Sequence, residues 1–199
     1  MRERPILFNG DMVRAILEGR KTVTRRLIKP APEMVTDRSI ATWEGDPAAL
    51  MRLLEQAGRK CPYGQPGDRL WVRETWAPGA TRTMYRAGCN PCYLPPSGRW
   101  KPSIHMPRWA SRILLEVTAV RVERLQDITE EQAIAEGIDL DALADAQDRY
   151  DMVLAWSGAD GRATPITAFR DLWNSTGGDW DANPWAWVIE FRRVEAAHA

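Results

Sequence analysis

A lysine, a threonine and an arginine follow the end of a short predicted helix, where few structural demands require them. The segment GDMVRAILEGRKTVTR covers residues 10–25, and Lys21, Thr24 and Arg25 come soon after Gly19. A threonine hydroxyl becomes a nucleophile when a base takes its proton. A lysine can be that base if burial or nearby cations lower its pKa. The candidate cations are Arg20, Arg25 and Arg26.

The spacing of Lys21 and Thr24 permits two interpretations. In an extended chain their Cα atoms would lie about 10 Å apart, whereas one helical or 3₁₀ turn brings them to roughly 5–6 Å on a shared face. The helix stop at Gly19 favours such a local turn. The alternative is a solvated basic turn followed by a strand that contains Thr24, and the spacing alone favours this alternative.

Glu74 continues an otherwise apolar row in the predicted strand Arg69–Trp76, RLWVRETW. The alternating set on one face of that strand is Leu70, Val72, Glu74 and Trp76. A carboxylate in such a row costs several kcal/mol unless it is paired or protonated. Glu74 is therefore predicted to be either an acid or base of a reaction or one half of a structural ion pair with an arginine.

Three cysteines and a histidine raise the question of a metal site. Cys89 and Cys92 have the spacing of a zinc knuckle, and Cys61 or His105 could add a ligand. A single C-x-x-C motif with one isolated cysteine is more typical of reduced thiols, so no metal is expected. His105 lies in a loop before a long strand, where it lines a cleft or satisfies backbone groups.

Composition excludes several classes of protein. The chain has 199 residues, of which 44% are hydrophobic and 27% charged, with a formal net charge of zero. These values are typical of a globular protein, and no apolar run approaches a membrane span. The sequence contains no P-loop, dinucleotide fingerprint or GxSxG elbow, and no helix-turn-helix or RNP motif. A cytoplasmic protein without a membrane or obligate protein partner is expected.

The order of predicted elements indicates an α+β fold. Several strands with few interspersed helices favour one domain over residues 1–199, a small mixed β-barrel with helices packed outside. Two segments near 29–60 and 138–163 are interpreted as insertions. The predicted strands are Pro5–Phe8, Arg69–Trp76, Thr83–Arg86, Ser111–Leu125 and Trp185–Val194. The predicted helices begin near Asn9, Pro47, Thr129, Leu140 and Pro165, and the second and fourth cover Pro47–Gln56 and Leu140–Trp156.

The motifs together resemble one protein family. The run Gly19–Arg25, GRKTVTR, followed by Arg26, is similar to the G-x-K-x-x-T-x-R signature of ASCH-domain proteins. PGDRLWVRETW (Pro66–Trp76) and SRILLEVTAVRVERL (Ser111–Leu125) fall where later strands of that family belong. The resemblance covers most of the chain outside the two insertions, and it is nearest to long members of phage and prophage type.

This resemblance implies a PUA-like β-barrel with a cleft for RNA or nucleosides. Some small ASCH proteins are amidohydrolases that remove the acetyl group from N4-acetylcytidine, and their lysine, threonine and glutamate correspond to Lys21, Thr24 and Glu74. Other members bind RNA, and nuclease activity is attributed to at least one branch. The substrate-binding residues expected here are Arg20, Arg25, Arg26, Trp76 and His105.

The leading hypothesis is hydrolysis of an N4-acylated cytosine nucleoside or a related modified base, without metal or organic cofactor. Thr24 attacks the acyl carbonyl, Lys21 accepts its proton, and Glu74 protonates the leaving amine. Arg25 or another arginine stabilises the oxyanion. The alternative is a non-catalytic module that binds RNA or modified nucleic acid, with Trp76 stacking on a base. The third hypothesis is a ribonuclease that uses Lys21.

Overall fold

The computed structural model describes residues 1–31, 46–90, 92–146, 148 and 163–194 of this α+β chain. Its strands are β1 (Glu3–Leu7), β2 (Val23–Leu27), β3 (Arg69–Arg73), β4 (Trp76–Pro78), β5 (Thr83–Tyr85), β6 (Leu114–Arg124) and β7 (Trp185–Val194). Its helices include α1 (Gly10–Leu17), α2 (Pro47–Gln56), α3 (Glu130–Ala135) and α4 (Pro165–Ser175). No helix in these ranges is long and apolar enough to cross a membrane.

Five strands form a mixed sheet in the order β1-β3-β6-β7-β2, and β4 pairs with β5 in a small second sheet. β1 runs parallel to β3, and β3 runs antiparallel to β6 with Trp71 opposite Leu114. The mixed strand directions agree with the sequence prediction. The predicted barrel, however, is not closed. Closure requires both edge strands to bond a further strand with a consistent stagger. Within the described residues, the strand order instead ends at β1 and at β2.

The chain divides into two compact units. The first consists of Met1–Gly19, Lys60–Val120 and the chain from Ile189 onward, and the second of Arg20–Arg59 and Arg121–Val188. The predicted segment 29–60 therefore belongs almost entirely to the second unit. Of the predicted helix Leu140–Trp156, residues 140–146 and 148 are helical, and the remainder lies outside the described residues.

In the first unit, α1 forms because both of its ends are specified locally. The side chain of Asn9 accepts a hydrogen bond from the backbone N–H of Met12 and thereby caps the helix. Val13 and Ile16 are buried on one face. Gly19 has φ +80°, a conformation that ends a helix without the steric cost that a Cβ would add.

Strand β3 is shorter than predicted. Regular pairing ends at Arg73, and the chain resumes extended structure in β4 at Trp76. The backbone of Trp76 bonds that of Lys101 in both directions, at 3.1 and 2.7 Å, so the chain changes partners at this point. The predicted row of side chains on one face is nevertheless buried, because Val72 and Glu74 are only 1% and 2% exposed.

In the second unit, two capping boxes start helices α3 and α4. The Thr129 hydroxyl accepts from the N–H of Gln132, whose side chain accepts from the Thr129 N–H in return. Thr164 and Thr167 make the same exchange at α4. The buried residues of the core that these helices share are Leu125, Ile128, Ala133, Ile138, Phe169 and Trp173.

Candidate functional site

Lys21 is a buried side chain of the second unit, bound at the end of α3. Its Nζ donates to the Oε2 atom of Glu136 at 2.6 Å and to the backbone oxygen of the same residue at 2.7 Å. The two side chains are 0% and 3% exposed. The segment is placed there by the backbone N–H of Thr22, which donates to the carbonyl of Ala135 at 2.9 Å. The lysine is therefore a fixed interior charge and not part of a solvated turn.

Arg25 binds the same carboxylate from β2. One guanidinium nitrogen lies 3.4 Å from Glu136 Oε1, and the other donates to Glu123 Oε2 at 2.9 Å and to Gln132 Oε1 at 2.7 Å. The guanidinium carbon also lies 5.9 Å from the ring centroid of Phe169. Arg25 thus ties β2 to β6, α3 and the core of its unit.

The surroundings of Lys21 lower its pKa below the usual value of a lysine. Burial has the largest effect, because it removes water from the ammonium ion. The Glu136 carboxylate opposes this effect, while the positive charges of Arg26 and Arg25 add to it. A lysine with a lowered pKa releases its proton more readily, which is the property that a base for a threonine hydroxyl requires.

Thr24 lies in strand β2, so the predicted helical or 3₁₀ turn is wrong. Residues 20–22 have irregular backbone, and the strand begins at Val23. Alternation along the strand turns Thr24 to the face opposite Val23 and Arg25. All three residues are buried, and Thr24 is 2% exposed. The predicted alternative, a strand that contains Thr24, is the correct one, although its solvated basic turn is not.

The other two arginines of the motif also belong to the second unit. Arg20 donates to the carbonyl of Gly137 at 2.9 Å, and its guanidinium lies 3.4 Å from Asp139 Oδ2. It therefore binds the chain just beyond α3. Arg26 is half-buried, and its charge contributes to the low pKa of Lys21.

Glu74 belongs to the first unit, where Arg112 holds it in a two-point ion pair. Arg112 Nε donates to Oε1 at 2.9 Å, and Nη2 donates to Oε2 at 3.0 Å. The guanidinium carbon lies 4.1 Å from the centroid of the Tyr85 ring, whose hydroxyl donates to the carbonyl of Ala110. This is the arginine partner that the second interpretation of Glu74 required.

Trp76 and His105 differ sharply in exposure. Trp76 is 4% exposed and packs with Met106 and Ala110, so its ring is not open to a stacked base. Its neighbour Trp109 is 72% exposed and meets it edge-on, with ring centroids 5.8 Å apart. His105 is exposed at the end of a single 3₁₀ turn, Ser103–His105.

All three cysteines are free thiols. Cys61 is buried, and burial raises the pKa of its thiol to about 11, so it is neutral near pH 7. Cys92 is exposed, and Cys89 is partly exposed. Among the residues that the structure describes, no group of three or more His, Cys, Asp or Glu side chains is placed to hold a metal ion.

Sequence reasoning missed Glu136, Arg112 and Trp109. Strand register does not identify Arg112: extending the pairing of β3 and β6 two residues past Trp71 and Leu114 puts it opposite Arg73, on the face that alternation turns away from Glu74. Glu136 gave no signal either, because it lies 115 residues from Lys21 in the chain.

Comparisons with known proteins found similar solved structures but do not assign this chain to a family. No protein-family model and no curated protein sequence matches this chain. An ASCH domain from Lactobacillus crispatus JV V101 is 14% identical over 98% of this chain and 81% of its own, with a TM-score of 0.39. Protein EF3133 from Enterococcus faecalis V583, described by the DUF984 family model, is 12% identical over 92% of this chain and 66% of its own, with a TM-score of 0.33. Because both TM-scores are below 0.5, neither structure supports an argument about the fold or function of this chain.

Proposed function

We propose that this protein hydrolyses the exocyclic amide of an N4-acylated cytosine nucleoside or of a related modified base. The observation that carries the proposal is the buried Lys21, whose pKa is lowered and which lies three residues before Thr24. The similarity of Gly19–Arg25 to the ASCH signature supports the same two residues. Glu136 fixes the position of the lysine amine through two hydrogen bonds.

The reaction proceeds through an acyl-enzyme. For the first step the neutral Lys21 amine leaves Glu136 and reaches Thr24, which alternation places on the face opposite Arg25; it then takes the hydroxyl proton as Oγ attacks the acyl carbonyl carbon. The tetrahedral intermediate then collapses, the C–N bond breaks, and the leaving amine takes the proton that Lys21 had accepted, which returns the lysine to its neutral form. Water attacks the threonine ester in the second half-reaction, which releases the carboxylic acid and restores the hydroxyl.

The hydrogen bonds that Arg25 already makes limit its role in this reaction. Its two terminal nitrogens approach oxygens of Glu136, Glu123 and Gln132. Its Nε–H is buried without a hydrogen-bond partner among the described residues, so Arg25 contributes its positive charge beside Lys21 and retains one donor, at Nε, for the oxyanion. Thr24 is 2% exposed, so the acyl group reaches its hydroxyl only after the residues that cover it move aside.

The assignment of proton donation to Glu74 rests on the family resemblance alone. Both of its oxygens accept hydrogen bonds from Arg112. This role is tested separately by measuring the turnover of Glu74→Gln and of the parent protein under conditions in which the same fraction of each is folded. Loss of amine release with intact folding supports the donor role, whereas unchanged turnover removes Glu74 from the mechanism and leaves Thr24 and Lys21 in place.

The test of the proposal is release of cytidine from N4-acetylcytidine, followed by liquid chromatography. We expect turnover by the parent protein and its loss in Thr24→Val and in Lys21→Met. Thr22→Val is the matched control for Thr24, because Thr22 is exposed and only two residues away. A threonine-bound acetyl group, detected by mass spectrometry of the peptide that carries Thr24, would identify the intermediate. No release from N4-acetylcytidine or other N4-acylated cytosines would refute the proposal.

A second candidate function, binding of single-stranded nucleic acid, is favoured by Trp109. This indole, in the first unit, is 72% exposed and packs edge-on against the buried Trp76. Exposed aromatic rings stack on bases, and nearby cations contact phosphates. The cation beside this pair is Lys101, whose Nζ lies 5.1 Å from the Trp76 ring centroid. This candidate replaces Trp76 with Trp109 as the stacking residue.

A further inference from the structure

A cavity of about 240 Å³ opens in the first unit, between the beginning of β1 and the turns that precede β3. The residues that give it its chemical character are Arg2, Arg4, Lys60, Cys61, Gly64 and Asp68. The cavity is smaller than the range of about 300–1,000 Å³ typical of pockets for drug-sized ligands. Its size therefore fits a small group and not a whole nucleoside with a base.

The charge of the lining is strongly biased. Three cationic side chains and one carboxylate contribute to it, and the amino terminus at Met1 also acts on Asp68, so positive charge predominates. The guanidinium of Arg4 is held in place by a hydrogen bond from Nη1 to the carbonyl of Pro62 at 3.2 Å. The Cys61 thiol adds no negative charge near pH 7, because burial raises its pKa to about 11.

Both oxygens of the one carboxylate among the lining residues, that of Asp68, accept hydrogen bonds from the backbone. Asp68 Oδ1 accepts from the N–H of Arg2 at 2.8 Å, and Oδ2 accepts from the N–H of Gln65 at 3.3 Å. These bonds, the one from Arg2 above all, lower the pKa of Asp68 and fix the turn that forms one wall. Gly64 permits this close approach: it has φ +113°, and a Cβ there would lie 2.9 Å from the Asp68 Cβ.

We propose that this cavity binds a phosphate dianion, either free or as the terminal phosphate of a small ester. A dianion complements this excess of positive charge, and guanidinium and ammonium groups are the side chains that bind phosphate best. The proposal is independent of the amide hydrolysis proposed above. All residues that line the cavity belong to the first unit, whereas Lys21 and Thr24 belong to the second.

The experiment is a titration with inorganic phosphate, followed by the backbone amide signals of Gly64 and Gln65 in ¹H–¹⁵N NMR. Ionic strength is held constant with chloride, because screening alone changes surface electrostatics. We expect saturable shifts with a dissociation constant near or below about 1 mM, an affinity that a few charge-assisted contacts can supply. Cytidine 5′-monophosphate in a parallel titration distinguishes a phosphate ester from the free ion by its tighter or weaker binding.

Two exposed cations provide variants that leave the fold intact, Arg2→Gln and Lys60→Gln. Each is expected to weaken phosphate binding by about tenfold or more, the effect of losing one hydrogen bond to a charged group. Arg82→Gln is the matched control, since Arg82 is an exposed arginine of the same unit outside the cavity lining. Absence of a saturable shift overturns the proposal. Equal weakening by Arg82→Gln does so too, because it would show only diffuse attraction to the surface.

Discussion

Lys21 Nζ and Glu136 Oε2 lie 2.6 Å apart in a part of the second unit that excludes solvent from both side chains. The second oxygen of that carboxylate faces Arg25 at 3.4 Å. One glutamate just beyond α3 therefore binds two cations of the GRKTVTR segment. The arrangement stabilises the fold and also determines the basicity of the lysine, so its two consequences can be measured separately.

Removing the Glu136 charge is expected to destabilise the protein strongly. Glu136→Gln leaves the buried Lys21 ammonium without a counter-ion, and breaking a buried pair in this way costs about 3–5 kcal/mol. The measurement is urea unfolding at pH 7, followed by circular dichroism. Glu130→Gln is the control, because Glu130 is an exposed residue of α3, the helix that Glu136 follows, and its loss costs about 1 kcal/mol or less. Similar losses from both variants would contradict a special role for the pair.

The low pKa of Lys21 predicts that its contribution to stability grows as the pH rises. Its folded-state pKa lies below the ordinary 10.5, so in alkaline solution the unfolded chain binds the proton that the folded protein has released. Stability rises with pH wherever the unfolded state binds more protons. Cys61 acts in the opposite direction, because its folded-state pKa of about 11 exceeds the ordinary 9.0.

The difference between the parent and Lys21→Met isolates the lysine. Between about pH 8 and about pH 10, below the ordinary lysine pKa, the stability of the parent relative to that of Lys21→Met is expected to increase. Lys29→Met serves as the control, since Lys29 is an exposed lysine of the same unit. A difference that stays constant over this range, or decreases, would show that the folded-state pKa of Lys21 is not lowered.

Elements whose causes lie within a few residues could be predicted from the sequence. Helix α2 has the predicted bounds Pro47–Gln56, because Asp46 caps it, proline suits its first turn, and Leu50 and Leu54 share a buried face. Strand β7 likewise has its predicted bounds, Trp185–Val194. The capping box at α3 is present for the same reason.

Contacts between distant parts of the chain could not be predicted in this way. Lys21 and Arg25 were recognised as unusual, but Glu136 lies more than 100 residues away and resembles any other helix-end glutamate. The end of β3 at Arg73 was missed because its cause is pairing of Trp76 with Lys101. Periodicity also gave no information about closure of the sheet, which depends on the stagger of every strand.

The Arg112–Glu74 pair makes a prediction about the first unit. Arg112→Ala leaves a buried carboxylate unpaired and is expected to cost about 3 kcal/mol, the lower end of the range for buried pairs, since Arg112 is 30% exposed. Arg112→Lys keeps the charge but not the two-point contact, so we expect a smaller loss, about 1–2 kcal/mol. Thermal unfolding ranks the variants, with the exposed Arg99→Ala as control. An Arg112→Ala protein as stable as Arg99→Ala would show that the pair contributes no stability.

Trp109 provides the test of nucleic-acid binding. If bases stack on its exposed ring, Trp109→Ala weakens binding of a single-stranded oligonucleotide by about 1–3 kcal/mol, the usual contribution of one stacked base. The comparison variant is Tyr93→Ala, which removes another exposed aromatic residue of the same unit, 40% exposed against 72% for Trp109.

Fluorescence anisotropy at two salt concentrations separates the stacking contribution from the ionic one. The affinity of the parent should fall with added salt, because phosphate contacts release counter-ions. The free-energy difference between the parent and Trp109→Ala should change little, because stacking involves no net charge. Equal effects of Trp109→Ala and Tyr93→Ala would mean that the ring is not a specific platform. Absence of binding by the parent at low salt would remove this function and leave amide hydrolysis as the activity to measure.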